Sequence, residues 1–156
     1  MKLRRWQQKV IDEFPEITKN YRKFILKAPT GAGKTVLASE IINRFYKNKK
    51  IVVLCHRLVL LEQLEKGLSA DHKVKKLGLS EEGTPFENYD VLISTNLRSR
   101  DFLQNAIKHC DLLIIDEAHR VSPNGQAYKE LLDQFDKESA EQSKLLGLTA
   151  SPERRT

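Results

Sequence analysis

The chain holds only two cysteines, Cys55 and Cys110, too few for a disulfide framework, which fits a reducing compartment. Each stands beside a histidine, as Cys55-His56 and His109-Cys110. Neighbours in an extended segment point to opposite faces and the C-x₂-C spacing is missing, so no zinc site is expected. No apolar run approaches the roughly 20 residues that cross a bilayer, and Met1-Lys2-Leu3-Arg4-Arg5-Trp6 lacks the apolar core of a secretory signal. An intracellular protein without a membrane partner is the expectation. Repeats and low-complexity segments are also missing, and 156 residues at 40% hydrophobic suit one domain with a real core.

What is abundant is positive charge. The formal net charge is +6 and the pI about 9.3. Lysine and arginine release condensed counterions when they neutralise phosphates, so a polyanionic partner is favoured. The lysines cluster in 2–9, 19–27, 47–50 and 73–76, a pattern equally suited to a solvated surface.

The most informative stretch is Ala28-Pro29-Thr30-Gly31-Ala32-Gly33-Lys34-Thr35, which follows the apolar run Phe24-Ile25-Leu26 and opens an apolar-periodic helix. Glycines let the chain curl so that backbone N–H groups face phosphate oxygens, and the helix N-terminus adds partial positive charge. Lys34 is then placed to reach the β- and γ-phosphates, and Thr35 to put its hydroxyl on Mg²⁺. Ala28 stands where the G-x-x-x-x-G-K-[ST] pattern has its first glycine. Farther on, Leu112-Leu113-Ile114-Ile115 reads as a buried parallel strand that runs out into Asp116-Glu117-Ala118-His119. A carboxylate there suits hydrated Mg²⁺, and its neighbour suits an attacking water. Asp116 is thus the metal-side candidate and Glu117 the candidate general base.

Around these segments the elements alternate. Trp6, Val10 and Phe14 recur at helical spacing until Pro15, which is expected to interrupt this first helix. Leu37, Ile41 and Phe45 stripe the helix after Thr35, closing on Lys47–Lys50. Strands are expected at 51–55, 73–77, 91–94, 112–115 and 144–148. Helices are expected at 58–68 and 97–108, and one is marked by Tyr128, Leu131, Leu132 and Phe135. Gly83-Thr84-Pro85 and Pro123-Asn124-Gly125 are loops. This alternation predicts an α/β domain with a mostly parallel sheet, helices on both faces and ligand loops at the strand C-terminal ends.

Taken together, the segments resemble the first RecA-like motor domain of the superfamily 2 helicases and translocases, P-loop NTPases. Leu3-Arg4-Arg5-Trp6-Gln7-Gln8 is similar to the adenine-recognising segment, often L-R-P-Y-Q, so Arg4 and Gln7 are implied at the base and residues 1–20 lead into the domain. Ala28 to Thr35 resembles motif I and Asp116 to His119 spells D-E-A-H, motif II. Cys55 to Gln63 is similar to motif Ia and Ile93-Ser94-Thr95 to motif Ib, which implies backbone contacts to nucleic acid by Arg57 and Thr95. Gly147-Leu148-Thr149-Ala150-Ser151-Pro152 resembles motif III. His119, Thr149 and Ser151 are implied in coupling the γ-phosphate to the nucleic-acid face. Arg5, Asn96 to Ser99 and Ser151 depart from the usual patterns, none at a phosphate or metal position.

The resemblance implies ATP and Mg²⁺ as cofactors, and a track of DNA in preference to RNA, since the D-E-A-H branch with these motifs includes DNA-repair helicases and restriction motor subunits. It also implies a second RecA-like domain, in cis or in trans, that supplies arginines; no segment resembling it follows motif III, so residues 1–156 alone are expected to bind nucleotide weakly and hydrolyse it poorly. A small-molecule kinase shares the phosphate loop without needing motifs II and III. A non-catalytic nucleic-acid-binding module needs no Glu117, and a nucleotide-gated scaffold shows no stimulation by nucleic acid.

Overall fold

The computed structural model describes residues 3–28, 32–55, 58–68, 70–77, 81–94, 100–116 and 126–150. The chain runs α1 (Arg5–Asn20), β1 (Lys23–Ala28), α2 (Ala32–Phe45), β2 (Ile51–Leu54), α3 (Leu58–Gly67), β3 (Val74–Lys76) and β4 (Val91–Ser94). It continues through α4 (Arg100–His109), β5 (Leu112–Asp116), α5 (Gln126–Glu138) and β6 (Lys144–Ala150).

Six strands form one sheet in the order β1-β6-β5-β2-β4-β3. Every pairing is parallel. A parallel sheet must be covered on both faces, and the strands Ile51–Leu54, Val91–Ser94 and Leu112–Asp116 are buried throughout their length. Alternate residues of the same strand feed two cores. Ile51, Val53, Val91, Ile93, Leu112 and Ile114 pack with α1 and α2 residues such as Phe14, Leu37 and Ile41. Val52, Leu54, Leu92, Leu113 and Ile115 pack with Leu103 and Ile107 of α4 and Phe135 of α5. The period-2 geometry of strands makes this division automatic.

Pro15 lies inside α1 and does not interrupt it, contrary to the expectation from its lost N–H. The helix is held from the buried side. Phe14 is 1% exposed, stacks on Phe45 at 4.9 Å and meets Phe24 and Tyr46 edge-on, and this burial offsets one missing hydrogen bond. The Thr18 hydroxyl also donates to the carbonyls of Phe14 and Pro15.

The N-terminal ends of the strands are locked by carboxylates. Asp111, just before β5, accepts the Lys50 N–H at 2.8 Å, while Asp90, just before β4, accepts the Lys73 N–H at 2.6 Å. On the far edge, Arg22 donates to the carbonyls of Phe135 and Ser139 with its guanidinium 4.8 Å from the Phe135 ring, fastening β1 to the end of α5. Arg100 and Glu130 pair α4 with α5.

Candidate functional site

Three strands finish side by side at the opposite ends. Ala28 of β1 is in register with Ala150 of β6, and Leu148 of β6 with Asp116 of β5. In an open α/β sheet ligands lie outside these C-terminal ends, where the strand order doubles back. Here β1 passes by way of residues 29–31 into α2, and the first turn of α2 carries Gly33, Lys34 and Thr35.

The sequence places Lys34 and Asp116 82 positions apart, and the fold brings them into a salt bridge of 3.1 Å, with side chains only 5% and 8% exposed. Asp116 Oδ1 takes the ammonium. Its second oxygen, Oδ2, is buried with no hydrogen-bond partner among the described residues. The pair lines a cavity of ≈ 30 Å³ together with Thr35 and the mostly apolar Ala38, Val53, Cys55, Leu64, Ile114 and Leu148. The space holds about one water, and its apolar floor keeps the dielectric low, so charges here act strongly on whatever they face.

A buried carboxylate oxygen left unpaired is costly unless a ligand completes it. One carboxylate and the Thr35 hydroxyl are too few donors for a dedicated metal cage, and among the described residues no group of three or more His, Cys, Asp or Glu could hold a metal. The pair does fit a cation such as Mg²⁺, which keeps several waters and shares a substrate phosphate. Lys34, at the amino end of α2, adds a fixed positive charge beside the helix N-terminus, a combination suited to phosphate oxygens.

Gln7 is 2% exposed and forms part of this site from the side. As the third residue of α1 it reaches back with Oε1 to accept the Arg4 N–H at 2.7 Å, and its Nε2 donates to the Gly33 carbonyl at 3.0 Å. Thr149 is 9% exposed and lies on β6 in register with Lys27 of β1. The strands β2 and β4 end flush, Leu54 against Ser94, on the same rim. Pro29, Thr30, Gly31, Arg57, Thr95, Glu117, His119 and Ser151 lie outside the described residues, and of Ala32 only its place in α2 is described.

The tie between Trp6 and Gly33 is a feature that sequence reasoning missed. A Cβ on Gly33 would lie 2.5 Å from Trp6 Cζ2, so the indole packs directly on the loop backbone and only glycine allows it. Trp6 beside Gln7 was the available signal, and periodicity alone marked it as core. Cys55 and Cys110 are both buried, one in each core. Burial and the nearby Asp111 carboxylate push the Cys110 thiol pKa up, so it stays protonated and unreactive at neutral pH.

The sheet order, the loop-to-helix turn and the lysine–aspartate centre define a RecA-like α/β domain of the superfamily 2 helicase kind. A family model described as "Type III restriction enzyme, res subunit" matches residues 1–154, and the chain belongs to that family. The Saccharomyces cerevisiae protein named "Putative ATP-dependent helicase IRC3" is 29% identical over 165 residues, covering 97% of this chain and 24% of the relative. A type I restriction enzyme EcoAI endonuclease subunit of Escherichia coli is 30% identical over 162 residues, 96% of this chain and 19% of that protein. The chain therefore spans about a quarter or less of these curated relatives. Among solved structures, the Sulfolobus solfataricus SWI2/SNF2 ATPase core in complex with dsDNA superposes with a TM-score of 0.69 at 18% identity, over 97% of this chain and 32% of that one.

Proposed function

We propose that the chain is the ATP-binding motor domain of a DNA-dependent ATPase of the D-E-A-H branch, and that it works with a second RecA-like domain. The observation that carries this reading is the buried Lys34–Asp116 pair with Oδ2 unpartnered, set at the strand ends where the phosphate loop enters α2. The name of the yeast relative supports ATP as the nucleotide. The duplex in the SWI2/SNF2 complex supports DNA as the partner. Relatives several times longer support further domains around this one.

In the proposed mechanism the amides of residues 30–35 and the Lys34 ammonium hold the β- and γ-phosphates, with Arg4 on the base side. Thr35 and Asp116 hold the hydrated Mg²⁺. When bound, the metal neutralises charge on the phosphate oxygens. Once Asp116 parts from Lys34, the carboxylate can hold the metal with Thr35 and the ammonium can face the phosphates. Glu117, the next residue after Asp116, orients an attacking water and takes its proton. Arg57 and Thr95 touch the nucleic-acid backbone, which carries little base information. His119, Thr149 and Ser151 relay the phosphate state toward that face. An arginine finger from the second domain contributes about 10³ to 10⁵ in turnover in related systems, so hydrolysis by these residues alone is slow.

Calorimetric titration with Mg²⁺-ATP tests the core of the proposal: the wild type binds and Lys34→Ala does not. Glu117→Gln keeps binding and abolishes hydrolysis; equal hydrolysis by that variant discards the base assignment. Hydrolysis rises with duplex DNA, whereas a flat response to single- and double-stranded DNA and RNA favours a nucleotide-gated scaffold.

A further inference from the structure

Thr35, Ser39 and Asn43 stand four residues apart and share one face of α2, a stripe that starts at the proposed triphosphate site and ends against α3. Gly67, the last residue of α3, closes on the far part of that stripe. A Cβ on Gly67 would lie 2.5 Å from Ser39 Oγ and 2.9 Å from Ser39 Cβ, so the helices approach to a distance that only glycine permits. Asn43 Nδ2 donates to the Gly67 carbonyl at 2.9 Å, taking up one of the acceptors that a helix end leaves open. Ser39 is 4% exposed, and its Oγ has no hydrogen-bond partner among the described residues. One turn earlier on α3, Leu64 lines the cavity shared by Lys34, Thr35 and Asp116.

The contact matters for what α3 carries. Its first residue, Leu58, lies inside the segment Cys55 to Gln63, whose Arg57 is proposed above to meet the nucleic-acid backbone. Helices packed this closely move as units, because such interfaces switch between arrangements and do not deform continuously. A displacement of α2 on taking up phosphate is therefore passed to α3 at Gly67, and from α3 to the chain ahead of it. We infer that Gly67, Ser39 and Asn43 are positioning residues that couple triphosphate occupancy to nucleic-acid affinity, acting through the two helices they join. This inference rests on the function proposed above.

Linkage supplies the test, since the factor by which triphosphate changes nucleic-acid affinity is the factor by which nucleic acid changes triphosphate affinity. The affinity of a short DNA duplex is measured with and without a non-hydrolysable Mg²⁺-ATP analogue, and the ratio of the two is the coupling. In the wild type this ratio departs from one by about 5-fold or more. Gly67→Ala pushes α3 off Ser39 and Asn43→Ala releases the Gly67 carbonyl. Both bring the ratio toward one, while affinity for the analogue alone stays within about 2-fold. The double variant Gly67→Ala with Ser39→Gly removes both atoms that the new Cβ meets and restores the wild-type ratio. An unchanged ratio in Gly67→Ala and Asn43→Ala overturns the inference. Loss of both affinities at a constant ratio overturns it too, because the contact is then one of stability alone.

A second measurement needs no nucleic acid. Amide hydrogen exchange at Leu64 to Gly67 slows when the analogue binds the wild type, and in Gly67→Ala it does not respond. Equal responses in the two proteins overturn the inference. A wild type that takes up no analogue refutes the triphosphate site itself, whereas one that binds analogue and duplex with a ratio of one leaves that site standing and refutes the coupling. A wild type that binds the analogue but no duplex refutes the nucleic-acid reading, and the exchange response then decides whether α3 follows α2.

Discussion

At the N-terminal ends of the strands Asp111 and Asp90 each accept a backbone N–H of the neighbouring segment, and Asp90 also meets the buried His72 ring at 3.2 Å. At the C-terminal ends Asp116 spends one oxygen on Lys34 and leaves the other buried without a partner among the described residues. The same residue type thus does two jobs. Carboxylates bonded to fixed amides stabilise strand starts through charge-assisted hydrogen bonds, whereas a buried ion pair gains little net stability because both charges were taken from water. The difference separates what holds the sheet together from what the sheet holds ready for a ligand.

Breaking the upper pair gives the largest effect. Lys34→Ala leaves Asp116 buried and uncompensated, and thermal or denaturant unfolding should show a loss of about 3–5 kcal/mol together with loss of Mg²⁺-ATP binding. The double variant Lys34→Met with Asp116→Leu restores melting to the wild-type level or above and still binds nothing. A double variant as unstable as Lys34→Ala would mean that the pair is structural, and the contrast between the two rims would fail.

The lower rim should respond in the opposite sense. Asp111→Ala and Asp90→Ala each cost about 1–3 kcal/mol by removing a hydrogen bond from a backbone N–H to a charged acceptor, while triphosphate affinity measured on the folded protein stays within about 2-fold. A matching loss of affinity would show the two ends to be coupled. A smaller effect sharpens the comparison through pH. Tyr46, beside the lower rim, has its phenol pKa raised from 10.0 to about 12, first by burial and then by the Asp111 carboxylate and Cys110. The folded protein keeps a proton that the unfolded chain gives up, so this contribution is complete below pH 10 and disappears as pH climbs through about 12. Unfolding free energies across that window should fall in the wild type and fall less in Tyr46→Phe.

Much of this arrangement was visible in the sequence because its signals are local. Apolar runs of three or four residues bounded by polar segments marked β2, β4 and β5, and the glycines before Lys34 marked the turn into α2. The strand order was not visible, since nothing in the apolar run at 24–26 says that β1 lies at the edge beside β6 and away from β2. The sheet is parallel in every pairing, more uniform than the mostly parallel sheet expected. Pro15 misled because its local cost was weighed without the packing of Phe14, which depends on Phe24, Phe45 and Tyr46 from later elements. In the site, the bond from Gln7 to Gly33 was equally out of reach of local signals, because it spans 26 positions and exists only once α1 has docked.

The central claim is that Lys34, Thr35 and Asp116 converge on one metal-bound triphosphate. Its most direct measurement is the ATP affinity of the wild type and Asp116→Asn, each with Mg²⁺ and with a chelator. Wild-type binding should depend strongly on Mg²⁺, and Asp116→Asn should erase that dependence while still taking up metal-free ATP through Lys34. Identical Mg²⁺ dependence in the two proteins would contradict the account.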